Sequence, residues 1–183
     1  MSAPVHVSRR RRIAAFTLLE MLVVIGLVTV LTTLVIGSGR RVSDAGKAAQ
    51  ARAELTALAA ALGSYRQAFG EYPRTDDPAR LLQALIGRRG PDHQAVNSRA
   101  RLDMARFRTA AGNDPFATET AVLADPWERP YRYAYKSQAP WSNPSPVLYS
   151  VGADGLAIET LLTGGFPDRA AAGNADNVYA DQP

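Results

Sequence analysis

At 183 residues the chain is long enough for one domain with a modest core and short for two. The absence of cysteine excludes a disulfide framework, a thiolate metal site and a cysteine nucleophile, and His6 and His93 offer no histidine cluster for a metal or a triad. The formal charge of +4 is local: four of the 21 basic residues are Arg9, Arg10, Arg11 and Arg12, and the other 17 balance 17 acids. A basic body that binds nucleic acid is therefore not expected.

The arginine block is followed by an apolar run over residues 16–37, interrupted by one formal charge, Glu20. As a helix these 22 residues rise about 33 Å, close to the ~30 Å hydrocarbon core of a bilayer. Positive residues stay on the cytoplasmic side, which sends everything after residue 37 across. Three readings compete. A cleaved signal peptide is disfavoured because the run is long, carries a carboxylate and continues into an amphipathic pattern. A plain single-span anchor leaves Glu20 without a purpose, although a charge at mid-bilayer costs roughly 2.5–3.5 kcal/mol. The third reading gives that carboxylate a partner.

Ala15, Phe16, Thr17, Leu18, Leu19 and Glu20 resemble the processing motif of the type IV prepilin family, with Ala15 where the family usually has Gly. The resemblance implies a cytoplasmic leader at 1–15, cleavage between Ala15 and Phe16 by a prepilin peptidase, and methylation of the new amino terminus at Phe16. It also implies that Glu20 neutralises the Phe16 amine of a neighbouring subunit, which offsets both charges within hydrocarbon and sets the register between helices.

Beyond a weakly helical Gly37-Ser38-Gly39, the residues Leu55, Leu58, Leu62, Tyr65 and Phe69 recur at three- and four-residue spacings, one face of a helix. Gly70 and Tyr72-Pro73 end it. Continuous from 16 to 69, such a helix would be about 80 Å long. Tyr131, Tyr133 and Tyr135 alternate with Arg132 and Ala134, and a second β-rich run follows at 146–151, so a hairpin with a loop at 136–145 is expected. Trp127 and Trp141 read as packing residues. The arginines of 86–114 (Arg88, Arg89, Arg99, Arg101, Arg106, Arg108) alternate with Asp92, Asp103 and Asp114, which indicates a solvated loop-and-helix insertion.

The order of motifs after the long helix is similar to that of type II secretion major pseudopilins. These are Phe69-Gly70-Glu71-Tyr72-Pro73, the leucines at 81, 82 and 85, Asp125-Pro126-Trp127-Glu128-Arg129-Pro130-Tyr131 with Glu128 in place of a Gly, and Ser150-Val151-Gly152-Ala153-Asp154-Gly155. The resemblance implies a calcium ion in the loop after this last motif. By that resemblance Asp154 and the Val151 carbonyl are first ligands and Asp176 is the second carboxylate; because the loop departs from the family in length, Asp168 or Asn174 is the alternative oxygen donor. Here residues 156–173 lengthen a loop that the family closes sooner. A metal-free turn at Asp154-Gly155 is the competing reading.

The expected fold is α+β: a long N-terminal helix, half transmembrane and half amphipathic, packed on a small antiparallel sheet, with the leader at 1–15, the span at 16–37 and a periplasmic head within 38–183. The expected function is structural, without enzymatic activity: a pseudopilin subunit of a type II secretion-like filament in the bacterial inner membrane. Its partners would be copies of itself, other pseudopilins, the prepilin peptidase and an inner-membrane assembly platform. Alternatives are a minor type IV pilin for adhesion or DNA uptake, and a membrane-anchored enzyme using Asp154 and Asp176 with a metal, for which no nucleophile–base pair speaks.

Overall fold

The computed structural model describes residues 17–157 and 161–180, apart from the side chains at 34–41. The chain divides into two compact units, Met1–Val42 and Ser43–Pro183, and helix α1, Leu18–Phe69, contributes to both.

In the first unit, Thr17 caps the start of α1. The Glu20 backbone N–H donates to the Thr17 carbonyl at 3.1 Å and to its Oγ1 at 3.3 Å. Thr17 and Glu20 thus have the spacing of a capping pair, and the carboxylate stands at the helix's positive end. Every residue from 17 to 33 is exposed. Thr29, Thr32 and Thr33 turn their hydroxyls back onto the carbonyls of Ile25, Val28, and Thr29 and Val30. Among the described residues no helix is long and apolar enough to cross a membrane. The span expected at 16–37 includes Phe16 and the side chains at 34–37, which lie outside that description.

The second unit begins with the rest of α1. Ala51, Leu55, Leu58, Leu62 and Tyr65 are buried on one face and Phe69 is half-buried, while Arg52, Arg66 and Gln67 are exposed. This is the expected stripe. Gly70 stops the helix in a left-handed conformation (φ +77°), its N–H closing on the Arg66 carbonyl at 2.7 Å. Helix α2, Pro78–Leu85, starts where Asp77 accepts from the Ala79 N–H at 2.8 Å and a proline occupies its first turn. It buries Leu81, Leu82, Ala84 and Leu85 against the α1 face.

The stretch after α2 departs from expectation. Its helical content is two 3-10 turns, Met104–Arg106 and Ala110–Gly112, flanking strand β1, Arg108–Thr109, which pairs antiparallel with β2, Leu123–Ala124. It is pinned down rather than solvated throughout: Leu102, Ala121 and Leu123 enter the core. Gln83 of α2 donates to the Pro115 carbonyl at 3.1 Å, Arg89 pairs with Glu119 at 2.9 Å, and the Arg101 guanidinium lies over the Phe69 ring. Of the arginines expected to form a solvated face, Arg88, Arg89 and Arg101 act as staples, while Arg99, Arg106 and Arg108 are exposed as expected.

The expected hairpin is present. Strand β3, Arg132–Ala134, pairs antiparallel with β4, Val147–Ser150, and Tyr131, Tyr133 and Tyr135 all face the core. Their hydroxyls are all bonded, those of Tyr131 and Tyr135 to the part-buried Glu54 at 2.6 Å and Glu71 at 2.7 Å, and that of Tyr133 within the core to the Pro73 carbonyl at 2.9 Å. Trp127 and Trp141 pack half-buried against the same cluster. Strands β5, Leu161–Leu162, and β6, Phe166–Pro167, make a small hairpin of their own. The last strand, β7, Val178–Tyr179, joins the far edge of β4, giving the order β3-β4-β7. There Tyr179 stacks on Tyr149 with ring centroids 5.1 Å apart. This unit is α+β with small antiparallel sheets, as expected.

Candidate functional site

Two places carry the residues singled out in the sequence. At the first, Glu20 is exposed in the opening turn of α1, among Leu18, Leu19, Met21, Leu22 and Val23, all more than half exposed. Ala15 and Phe16 lie outside the described residues. Here apolar side chains are exposed around the helix, a pattern that favours an apolar environment.

At the second, the Asp125 turn and the Gly-Ala-Asp-Gly loop prove to be one structure. Asp125 is 1% exposed. Its Oδ1 accepts from the N–H groups of Trp127 and Arg129, both at 2.9 Å, and its Oδ2 accepts the Ser150 hydroxyl at 2.5 Å. Ser150 in turn accepts the Gly152 N–H at 3.2 Å. The turn requires a left-handed residue at Glu128 (φ +67°), the position where the resemblance expects Gly. From the same turn Arg129 extends its Nη1 to the Gly152 carbonyl at 2.6 Å and the Ala153 carbonyl at 3.4 Å.

The expected metal ligands divide into two groups. Asp176 comes to the loop: its Oδ2 accepts the Asp154 N–H at 2.9 Å, and a Cβ on Gly152 (φ +70°) would collide with it. Asp154 itself is exposed and spends Oδ1 on the Leu156 N–H at 2.8 Å, an ordinary Asx turn. Asp168 and Asn174 are engaged elsewhere. Asp168 Oδ1 accepts from Ala170 and Ala171, its carbonyl accepts from the Asn174 amide, and Asn174 Oδ1 accepts from Asn177. The Val151 residue is buried next to the loop.

A calcium ion needs six to eight oxygens at about 2.3–2.6 Å, several of them anionic. Among the described residues no group of three or more acidic, histidine or cysteine side chains converges. Asp176 Oδ1 is buried without a hydrogen-bond partner, which favours a positive neighbour. The Gly152 and Ala153 carbonyls of the loop are already held by a guanidinium. As arranged, the donors among the described residues do not suit calcium. The Asp125–Ser150 link and the reach of Arg129 are the features that sequence reading missed. Glu128-Arg129 standing where a Gly-x pair was expected was the available signal.

Comparison with known proteins gives this geometry its context. Residues 40–160 match the family described as "Type II secretion system (T2SS), protein G". The chain is similar to the "Type II secretion system core protein G" of Pseudomonas aeruginosa, with 31% identity over 169 residues, 92% of this chain and 99% of that protein. No solved structure gives a significant match. With the family matched across both motif-bearing segments and the relative aligned over nearly its whole length, the chain belongs to the protein G family of type II secretion, the major pseudopilins.

Proposed function

We propose that this pseudopilin is a filament subunit that assembles through residues 16–37, with the 43–183 unit exported beyond the bacterial inner membrane. The observation that carries the reading is the run from 17 to 33, exposed at every residue although Leu18, Leu22, Ile25, Leu27, Val30 and Leu31 are among them. Burying one such side chain is worth roughly 1.5–3 kcal/mol. The eleven large apolar residues exposed there therefore outweigh by several-fold the roughly 2.5–3.5 kcal/mol that a carboxylate like Glu20 costs inside a membrane. Bilayer before assembly and neighbouring helices after it both satisfy that demand. The inward-turned threonine hydroxyls support the same environment, since each has its acceptor within the helix.

In this reading the prepilin peptidase cuts between Ala15 and Phe16, and Phe16 is methylated. Glu20 then pairs with the Phe16 amine of the next copy. Successive additions push a short filament outward, and other pseudopilins and an assembly platform at the membrane complete the machine. Intact mass of the protein extracted from membranes tests the processing. A chain starting at methylated Phe16 is expected, and one that retains residues 1–15 would refute it.

A further inference from the structure

The loop at 152–155 has a cation already in place. Arg129 leaves a turn that cannot drift, because Asp125 holds its backbone N–H at 2.9 Å and ties the turn to Ser150 at the end of β4. Its Nη1 donates to two successive carbonyls, Gly152 at 2.6 Å and Ala153 at 3.4 Å. Two residues on, Gly155 (φ +71°) has no Cβ, and a Cβ built there would collide with Cζ and both terminal nitrogens of Arg129. The guanidinium therefore lies close against this loop, with Gly155 where a side chain would obstruct it.

Negative charge lies beside the same loop, while the hydrogen-bond partners of the guanidinium are the two carbonyls. Asp154 stands on the loop and Asp176 reaches it from the 174–177 segment, accepting the Asp154 N–H, with Asp176 Oδ1 buried without a hydrogen-bond partner. A guanidinium is permanently charged and carries five donors in a rigid plane, so it can bind adjacent carbonyls as a metal would. It also repels a divalent ion brought to the same oxygens.

We propose that Arg129 is the resident cation of this loop, replacing the divalent ion that the resemblance to major pseudopilins leads one to expect. The head of this chain is thereby made independent of metal. This goes beyond the assembly reading and does not rest on it, since every contact involved lies within the 43–183 unit.

The test uses the full chain in detergent, with thermal melting of the head followed in excess chelator and in excess calcium. The parent is expected to melt within about 1 °C of the same temperature in both, a shift too small to correspond to a lost ligand-linked stabilisation. Arg129→Ala is expected to lower Tm by roughly 3–8 °C in chelator, as loss of charge-assisted bonds in a domain of this size implies. Arg129→Lys should recover only part, because an ammonium lacks the planar fork. A parent whose Tm falls on chelation and returns with calcium would overturn the proposal, as would an Arg129→Ala protein that melts like the parent in chelator. Should Arg129→Ala fail to fold, calcium titration of the parent by calorimetry decides. No binding is expected, and one stoichiometric site would overturn it.

Discussion

Helix α1 carries two apolar surfaces of nearly the same chemistry with opposite fates. Between 18 and 33, leucines, valines and isoleucine are exposed on every side. Between 51 and 65, Ala51, Leu55, Leu58, Leu62 and Tyr65 are each at most 1% exposed, while Arg52, Thr56 and Ser64 beside them face solvent. Composition alone does not separate the two. Patterning does: an apolar stripe backed by polar residues packs on its own domain, and an apolar surface on all sides packs on something else. One helix thus supplies a core element to a folded head and a segment whose apolar residues are exposed.

The same substitution in the two regions should break in different places. Leu58→Ala is expected to cost the head about 2–5 kcal/mol in a denaturant melt, since the site is completely buried. Ile25→Ala should leave that melt unchanged and show its effect in filament yield. An equal loss of head stability from both would contradict the division. A smaller effect separates the head by pH. Burial alone would raise the Glu71 carboxyl, but hydrogen bonds from Lys136, Tyr135, the Tyr72 backbone and Arg74 outweigh it and hold the group at about 2, against an ordinary 4.5. A depressed folded value means that the contribution is complete above pH 4.5 and is lost as pH falls towards 2. Glu71→Gln should flatten that limb of the stability curve, and an unaltered limb would remove Glu71 from the account. Smallest is Glu128→Gly, which relieves a left-handed residue at φ +67° and should raise stability by up to about 1 kcal/mol. A loss of stability there would mean that the Glu128 side chain itself is holding the turn.

Regular alternation made the tyrosine hairpin readable in advance, and three- and four-residue spacing did the same for the buried face of α1. Strand β7 was not readable, because two residues, Val178 and Tyr179, beside an Asn-Ala-Asp-Asn stretch carry no period. Residues 86–124 failed for a related reason. Their structure comes from long-range staples such as Gln83 to Pro115 and Arg89 to Glu119, which no local pattern encodes. At the loop, the sequence identified Asp154 and Asp176, which do meet, and also Asp168 and Asn174, which are tied to each other and to the turn at 170–171. Asp125, Ser150 and Arg129 lay within motifs quoted for their resemblance. Their joint role follows only when the two segments are seen in contact.

The chain contains no cysteine, so single introduced cysteines report burial without background. Val28→Cys and Gln67→Cys replace residues that are both exposed on the isolated chain. In cells carrying the complete secretion system, with the outer membrane permeabilised, a membrane-impermeant maleimide should label position 67 readily and position 28 scarcely at all. Labelling of position 28 as fast as position 67 would show that the apolar segment has no bilayer or neighbouring helix against it, and would contradict the account at its centre.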